Sequence, residues 1–249
     1  GINLRKFGQE IIRTLGGRRI HPVFAVAGGV NKALTPAERD TILAGKDAAI
    51  SALQTGLAIM KDWAARNMED IRKFAVFPTG YMGLVTPQNS LELYDGPVRL
   101  IDSTGAELER FAPESYLDYI AEHVERWSYL KFPYYKKMGY PGGVYRVGPL
   151  GRLNISEKID TPLANSELKS FKALNDGKPV ENTLYYHYAR LIEILFALEK
   201  ITETLDDPDL TKTHVRSQAG VNESVGVGAI EAPRGTLFHE YHVDDHGLL

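Results

Sequence analysis

The sequence predicts an α+β fold that is mostly α, with long helices packed together and one small antiparallel β insertion. Apolar residues recur at helical spacing over residues 36–67 and again over residues 183–204. Between them, residues 74–111 alternate short β-rich pieces with turn residues, which is the pattern of successive hairpins. At 249 residues, the chain is long enough for one such domain or two small ones.

The composition excludes several classes of function. A net charge of -3 argues against a nucleic acid or an anionic membrane as the main partner, because both attract basic surfaces. No apolar run reaches the ~20 residues that span a bilayer, and the first residues lack a signal-peptide pattern, so we expect a cytoplasmic location. The chain has no cysteine, which excludes disulfides, thiol nucleophiles and cysteine-ligated metals within it.

The N-terminal part should contain two helices joined by an extended segment. Gly16 and Gly17 end a first amphipathic helix, and residues 21–26 are apolar and flanked by Pro and Gly, which favours buried extended chain. Thr35 and Glu38 form a capping box that begins a long helix, although two glycines within it leave a break open. The expected buried face of this helix consists of Ile50, Leu53, Leu57, Met60 and Trp63.

The remaining elements follow from local patterns. Short strands are predicted at residues 74–77, 81–85, 91–94, 98–101 and 107–111. Pro113 should open a helix that carries Tyr116, Ile120, Val124 and Trp127 on one side, and residues 128–162 should be irregular. A short helix is expected from Asn165 or Ser166 to about Gly177. Residues 183–204 form the strongest helix pattern, and residues 236–243 should form a strand.

Two clusters near the C-terminus suggest binding sites but fit them poorly. His239, His242 and His246 do not have the spacing of a zinc-binding HExxH motif, and a strand would direct the first two to opposite faces. Solvated or structural histidines are therefore favoured over a metal site. The glycine-rich residues 220–228 lack the strand–GxGxxG–helix order of a dinucleotide site, which favours close backbone packing instead.

The segment Glu231-Ala232-Pro233-Arg234 allows two interpretations. The proline fixes φ and stiffens the backbone that presents the arginine, which suits a functional guanidinium. An arginine salt bridge within a loop is an equally good interpretation from the residue types alone. His21, beside an apolar run, would by itself be interpreted as a satisfied structural group.

Three segments, in order, resemble motifs of NiFe-hydrogenase large subunits. Residues 231–237, followed by His239, resemble the EAPRG(A/T)L-x-H signature of that family. Residues 21–30 resemble its HP…GGV segment, and residues 145–152 resemble its VGPLAR segment. The opening residues and the intervening stretches look most like the bidirectional, NAD-linked group, and the resemblance covers essentially the whole chain.

The resemblance implies a reaction and a set of roles. The family splits dihydrogen heterolytically at a NiFe(CN)2(CO) centre, and Arg234 matches a catalytic arginine whose guanidinium lies over its open face. Ala232 and Pro233 match residues that line the same pocket, and Glu231 is expected to orient the loop. His21 matches a histidine that faces the small subunit near an iron–sulfur cluster. The implied partners are that small subunit and the diaphorase subunits that bind NAD.

The missing cysteines are the main departure from the family. The family holds nickel and iron through two cysteine pairs, one near each end, and this chain has neither. Ala27 also stands where proline is expected. We therefore expect residues 1–249 to be a central fragment that is inactive alone, binds no metal and self-associates through exposed apolar surface.

Two alternatives remain open at this point. One is a metal-free structural or assembly paralogue of the large subunit. The other is a histidine-based hydrolase that would require zinc at the terminal histidines. The sequence does not determine the physiological electron acceptor.

Overall fold

The computed structural model describes residues 1–218, 223–246 and 248, and it divides the chain into two compact units. The first unit comprises Gly1–Trp63 and Glu193–Asn222, and the second comprises Ala64–Ile192 and Glu223–Leu249. Helices predominate, and all but one of the strand pairs in the described ranges are antiparallel. The expected α+β class, mostly α, is confirmed.

The described elements can be given in chain order. The helices are α1 (Ile2–Gly16), α2 (Pro36–Arg66), α3 (Met68–Lys73), α4 (Tyr116–Tyr119), α5 (Gly148–Ile155), α6 (Pro162–Lys172) and α7 (Tyr186–Leu205). The strands are β1 (Ala25–Val26), β2 (Gly29–Val30), β3 (Gly80–Leu84), β4 (Val98–Ile101), β5 (Glu107–Phe111), β6 (Ile120–Val124), β7 (Lys131–Tyr135), β8 (Tyr145–Arg146), β9 (Val225–Ala232) and β10 (Gly235–His242). No helix in these ranges is both long and apolar enough to cross a membrane.

The predicted capping box begins α2. The Thr35 amide donates to the Glu38 carboxylate at 3.0 Å, and the Glu38 amide donates to the Thr35 hydroxyl at 3.3 Å. Hydrogen bonds from Lys32 and from Thr35 lower the pKa of Glu38 from 4.5 to about 2. Since the folded-state pKa is lowered, this carboxylate stabilises the fold at neutral pH and loses that contribution as the pH falls from 4.5 to about 2.

Helix α2 continues without a break through its glycines. Gly45 is a packing position, because a Cβ there would lie 2.6 Å from the ring of Phe7 on α1. Leu53 and Leu57 are buried as predicted, but Trp63 is exposed and its neighbour Ala64 is buried instead. The buried face of α2 therefore includes Ala64 in place of Trp63. The residues on this face are Ile42, Ala49, Leu53, Leu57 and Ala64.

Residues 21–26 are not the buried extended segment that was predicted. Only the last two residues form a strand, β1, and it pairs with β2 in a short hairpin. Most of the segment is exposed, including Val23 at 46%. The apolar composition of this segment therefore predicted its burial wrongly.

The second unit is built on a sheet of four strands in the order β5-β4-β3-β8. Strand β4 pairs antiparallel with β3 and β5, and the short β8 joins β3 in parallel. The predicted strands at 81–85, 98–101 and 107–111 are confirmed within a residue. Residues 74–77 form no strand, and residues 91–94 contribute only an isolated bridge from Leu91 to Val85. The core of this sheet includes Met82, Leu84, Val98, Leu100 and Phe111.

The helix predicted from Pro113 is wrong beyond its first turns. A 3-10 turn and α4 are followed by β6, which pairs with β7 across residues 125–130. The apolar residues at 116, 120 and 124 have helical spacing, but they do not all belong to a helix. In β6, the ring of His123 stacks on the ring of Tyr140, with 3.9 Å between their centroids. Residues 128–162, predicted to be irregular, contain β7, β8 and α5.

The C-terminal elements agree more closely with the sequence. Helix α6 begins at Pro162, a few residues before the predicted cap, because Asn165 accepts a hydrogen bond from the Ile159 amide and does not cap the helix. The helix predicted at residues 183–204 is confirmed as a 3-10 turn followed by α7, and the strand at 236–243 is confirmed as β10. Within the glycine-rich run, residues 220–222 lie outside the described residues, and the rest belongs mainly to β9. The close backbone packing predicted for this run is wrong at Gly226 and Gly228, where an added Cβ would meet no atom within 4 Å.

The capping box should contribute measurably to stability. Thr35→Ala removes one of the two reciprocal bonds and should lower the free energy of unfolding by about 1 kcal/mol, measured by urea denaturation. Thr55→Ala is the matched control, since Thr55 lies exposed inside the same helix. Equal effects of the two substitutions would contradict the capping role.

Candidate functional site

The site is a tight turn between two long antiparallel strands. Ala232 at the end of β9 pairs with Gly235 at the start of β10, so Pro233 and Arg234 are the two residues of the turn. Arg234 is exposed. Within the described part of the chain, its guanidinium makes no hydrogen bond or ion pair, so the turn presents a free cation at its tip.

A buried ion pair lies directly behind this turn. Glu231 Oε2 lies 2.6 Å from a guanidinium nitrogen of Arg152, and the two side chains are 0% and 3% exposed. The other carboxylate oxygen accepts hydrogen bonds from the Leu84 amide at 3.0 Å and from the Thr236 hydroxyl at 2.8 Å. The carboxylate is thus fully satisfied, as a buried charge must be.

This pair bears on the salt-bridge interpretation of the segment. Its glutamate does form a salt bridge, but the partner is Arg152 on α5, not Arg234. The same Arg152 nitrogen also donates to the carbonyl of Ala232 at 2.9 Å. The loop is therefore held by one arginine, while the other is left available.

The backbone of the turn approaches α5 too closely to allow side chains between them. Gly148, at the start of α5, has φ +74°, and a Cβ there would lie 3.0 Å from the Arg234 carbonyl oxygen. A Cβ at Gly235, whose φ is +146°, would lie 2.2 Å from the Val147 side chain. Two of the three motifs found in the sequence, residues 145–152 and 231–237, therefore meet in space.

Helix α7 completes the surroundings of the turn. The Tyr186 hydroxyl donates to the Val147 carbonyl at 2.9 Å, and burial raises the pKa of Tyr186, which keeps this donor protonated. A guanidinium nitrogen of Arg190 donates to the Pro233 carbonyl at 3.1 Å. Consecutive carbonyls, of Ala232 and Pro233, are thus bonded to arginines from two different helices.

The third motif lies elsewhere in the chain. His21 belongs to the first compact unit, where it is exposed and has a positive φ of 50°. Its ring makes no hydrogen bond within the described ranges. Ala232 and Glu231, by contrast, lie in the turn region as the sequence grouped them with Pro233 and Arg234.

The histidines near the C-terminus take part in local contacts. The His239 ring is 2.8 Å from the Tyr241 hydroxyl, and the His242 ring is 2.8 Å from the Glu240 carboxylate. Of the residues that the structure describes, no three from His, Cys, Asp and Glu are grouped so that they could hold a metal ion.

Sequence reasoning missed the residues that support the turn. Arg152 belongs to the motif at residues 145–152. Its position among the apolar residues Leu150, Leu153 and Ile155 indicates that this arginine is buried and therefore needs an acidic partner. Nothing in the sequence marked Tyr186 or Arg190, because they lie in an ordinary amphipathic helix.

The chain is similar to hydrogenase subunits along its whole length. It is 42% identical over 248 residues to the vhu-type F420-non-reducing hydrogenase subunit of Methanocaldococcus jannaschii, covering 100% of this chain and 59% of that protein. It is 40% identical over 254 residues to the NAD-reducing hydrogenase HoxS subunit beta of Cupriavidus necator, covering 99% and 52%. The chain thus spans between half and three-fifths of the length of these relatives. Protein-family models give no match.

Solved structures give the same result. A crystal structure of an NAD+-reducing [NiFe]-hydrogenase in the H2-reduced state superposes with a TM-score of 0.94 at 39% identity, covering 99% of this chain and 55% of that one. A Ni-Fe-Se hydrogenase from D. vulgaris Hildenborough superposes with a TM-score of 0.74 at 19% identity, covering 99% and 56%, which shows a shared fold. The fold is therefore that of a part of these enzymes.

The buried pair should be essential for stability. Arg152→Met leaves the Glu231 carboxylate buried without its cation and should lower the free energy of unfolding by about 3–5 kcal/mol. Lys73→Met, which removes the cation of the exposed pair with Glu69, is the control and should cost less than about 1 kcal/mol. Urea denaturation measures both.

A double variant tests the cause of that loss. Arg152→Met combined with Glu231→Gln should recover part of the stability, because no unpaired carboxylate remains buried. If Arg152→Met is no more damaging than Lys73→Met, the pair does not stabilise the unit.

Proposed function

From the similarity of this chain to hydrogenase subunits, we propose that it is part of the large, catalytic subunit of a NiFe hydrogenase. The parent enzyme would split dihydrogen into hydride and proton and pass the electrons reversibly to NAD. The observation that carries the proposal is the guanidinium of Arg234, which has no partner among the described residues and lies at the tip of a turn that the surrounding structure holds rigidly.

The geometry of the turn suits the proposed role of Arg234. A guanidinium is charged at every working pH and presents a planar fork of donors, so it can attract anionic ligands and polarise the pocket beside them. Pro233 fixes the backbone immediately before it. Ala232 and Pro233 would line the pocket, while Glu231, paired with Arg152, orients the loop.

The residues of this chain do not supply ligands for the nickel–iron centre. Soft thiolates are the expected ligands, and the chain has no cysteine. The NiFe(CN)2(CO) centre of the parent would therefore be held by cysteines outside these residues, and it would supply the metals at which dihydrogen is split. The contribution of this chain is the fixed positive charge of Arg234 and the scaffold that directs it.

The proposed partners follow from the resemblance of the motifs. We infer a cytoplasmic complex with an iron–sulfur small subunit and NAD-binding diaphorase subunits, and the similarity to a subunit of an NAD-reducing hydrogenase from C. necator supports the link to NAD. His21 would face the small subunit. This chain by itself would self-associate, since the hairpin of β6 and β7 exposes Trp127 at 77% and Tyr129 at 96%.

A different electron acceptor is the second candidate. The chain is about as similar to the F420-non-reducing hydrogenase subunits as to the NAD-reducing one, at 42% against 40% identity. If the purified full complex reduces NAD with dihydrogen, NAD is the acceptor. If it reduces an artificial acceptor with dihydrogen but does not reduce NAD, the physiological acceptor is a different one. Absence of both reactions would favour a metal-free structural or assembly paralogue.

Arg234 should be required for turnover. In the full-length subunit, Arg234→Lys should lower dihydrogen oxidation by about 10²-fold, since one preorganised electrostatic contact is lost. Nickel and iron content should remain unchanged. Arg18→Lys, at an exposed arginine in the first unit, is the matched control. Full activity of Arg234→Lys with an intact metal centre would refute the role.

The isolated chain should not bind nickel in stoichiometric amount. Elemental analysis of the purified 249-residue chain is expected to find far less than one nickel per chain, because no cysteine is available as a ligand. About one nickel per chain would show that other residues form a metal site.

A further inference from the structure

One face of helix α7 contacts both segments that form the site. Tyr186 and Arg190 are four residues apart, which places them on the same side of the helix. Tyr186 bonds to the carbonyl of Val147, and Arg190 bonds to the carbonyl of Pro233. The helix therefore ties together the two backbone segments that meet beneath Arg234.

The contact with Pro233 acts on the peptide plane that leads into Arg234. Each residue has two soft backbone dihedrals, and the proline ring already fixes one of them at position 233. The remaining rotation, ψ of Pro233, swings its carbonyl oxygen. The hydrogen bond from Arg190 holds that oxygen at 3.1 Å and so holds this rotation.

The neighbouring contacts leave the turn little other freedom. Arg152 holds the preceding carbonyl, of Ala232, at 2.9 Å. On the far side, the Arg234 carbonyl packs closely against Gly148, where a Cβ would lie 3.0 Å from its oxygen. Among these contacts, the Arg190 bond is the one made by an exposed side chain.

We propose that Arg190 is a positioning residue that directs the Arg234 guanidinium by fixing the peptide plane between Pro233 and Arg234. The inference rests on the proposed function, in which Arg234 acts at the metal centre. Arg190 itself need touch neither substrate nor metal. Since it is exposed, its substitution separates positioning from folding.

The first test measures the turn in the 249-residue chain. Arg190→Met keeps an unbranched stem but removes the donor, and it should speed amide hydrogen exchange at residues 234–236 by about 10-fold or more. His187→Gln is the control, since His187 is exposed on the same helix and makes no hydrogen bond within the described ranges. The urea midpoint should be equal in both variants. Unchanged exchange in Arg190→Met would overturn the proposal.

The second test uses the full-length enzyme with its metal centre. Arg190→Met should lower turnover per nickel by about 10-fold, on the scale expected for a misplaced group near the chemistry, while nickel content stays unchanged. The infrared cyanide bands of the centre should shift in Arg190→Met, and we expect Arg234→Lys to shift them as well. Tyr186→Phe, which removes the other bond from α7, should give a smaller change in the same direction.

A combined variant distinguishes this inference from the proposed function. If Arg190 acts through Arg234, adding Arg190→Met to Arg234→Lys should cause no further loss of turnover. Losses that multiply would overturn the inference. If Arg234→Lys lowers turnover and Arg190→Met changes neither turnover nor the cyanide bands, only the positioning role fails. If Arg234→Lys has no effect, the proposed function of Arg234 fails, and with it any positioning role for Arg190.

Discussion

The buried ion pair between Arg152 and Glu231 is the interaction on which the candidate site depends. It joins α5 to the end of β9, and both of its side chains are almost completely removed from solvent. A buried charge is costly unless it is paired and hydrogen-bonded, so the pair tolerates few other arrangements of the two segments. The same arginine also reaches the Ala232 carbonyl, and the stability of the pair therefore extends to the turn itself.

This arrangement places two arginines in different surroundings. Arg152 is buried and pairs with Glu231. Arg234 lies at the tip of the turn and has no partner within the described ranges. A single loop arginine could not both neutralise the buried glutamate and reach a ligand outside the chain.

The sequence predicted elements with strong local signals and missed those made by distant pairing. The capping box of Thr35 and Glu38 correctly marked the start of α2, since both partners lie within one turn. The helix expected after Pro113 failed because β6 is defined by β7, whose pairing no local spacing reveals. The three motifs resemble those of NiFe-hydrogenase large subunits, and the chain is similar to hydrogenase subunits along its whole length. Residues 231–234 lie together at one turn because they are adjacent in sequence. The partner of Glu231 lies 79 residues away, and only the fold brings it near. The role proposed for His21 stays a prediction, because it concerns a contact with another subunit.

The most direct measurement is an experimental structure of the full-length subunit with its metal centre in place. If Arg234 acts at that centre, one of its guanidinium nitrogens should lie within hydrogen-bond distance, roughly 2.7–3.2 Å, of a cyanide nitrogen on the iron. Glu231 should remain paired with Arg152. A structure in which Arg234 turns away from the centre, or pairs with Glu231 in place of Arg152, would contradict the role assigned to each arginine.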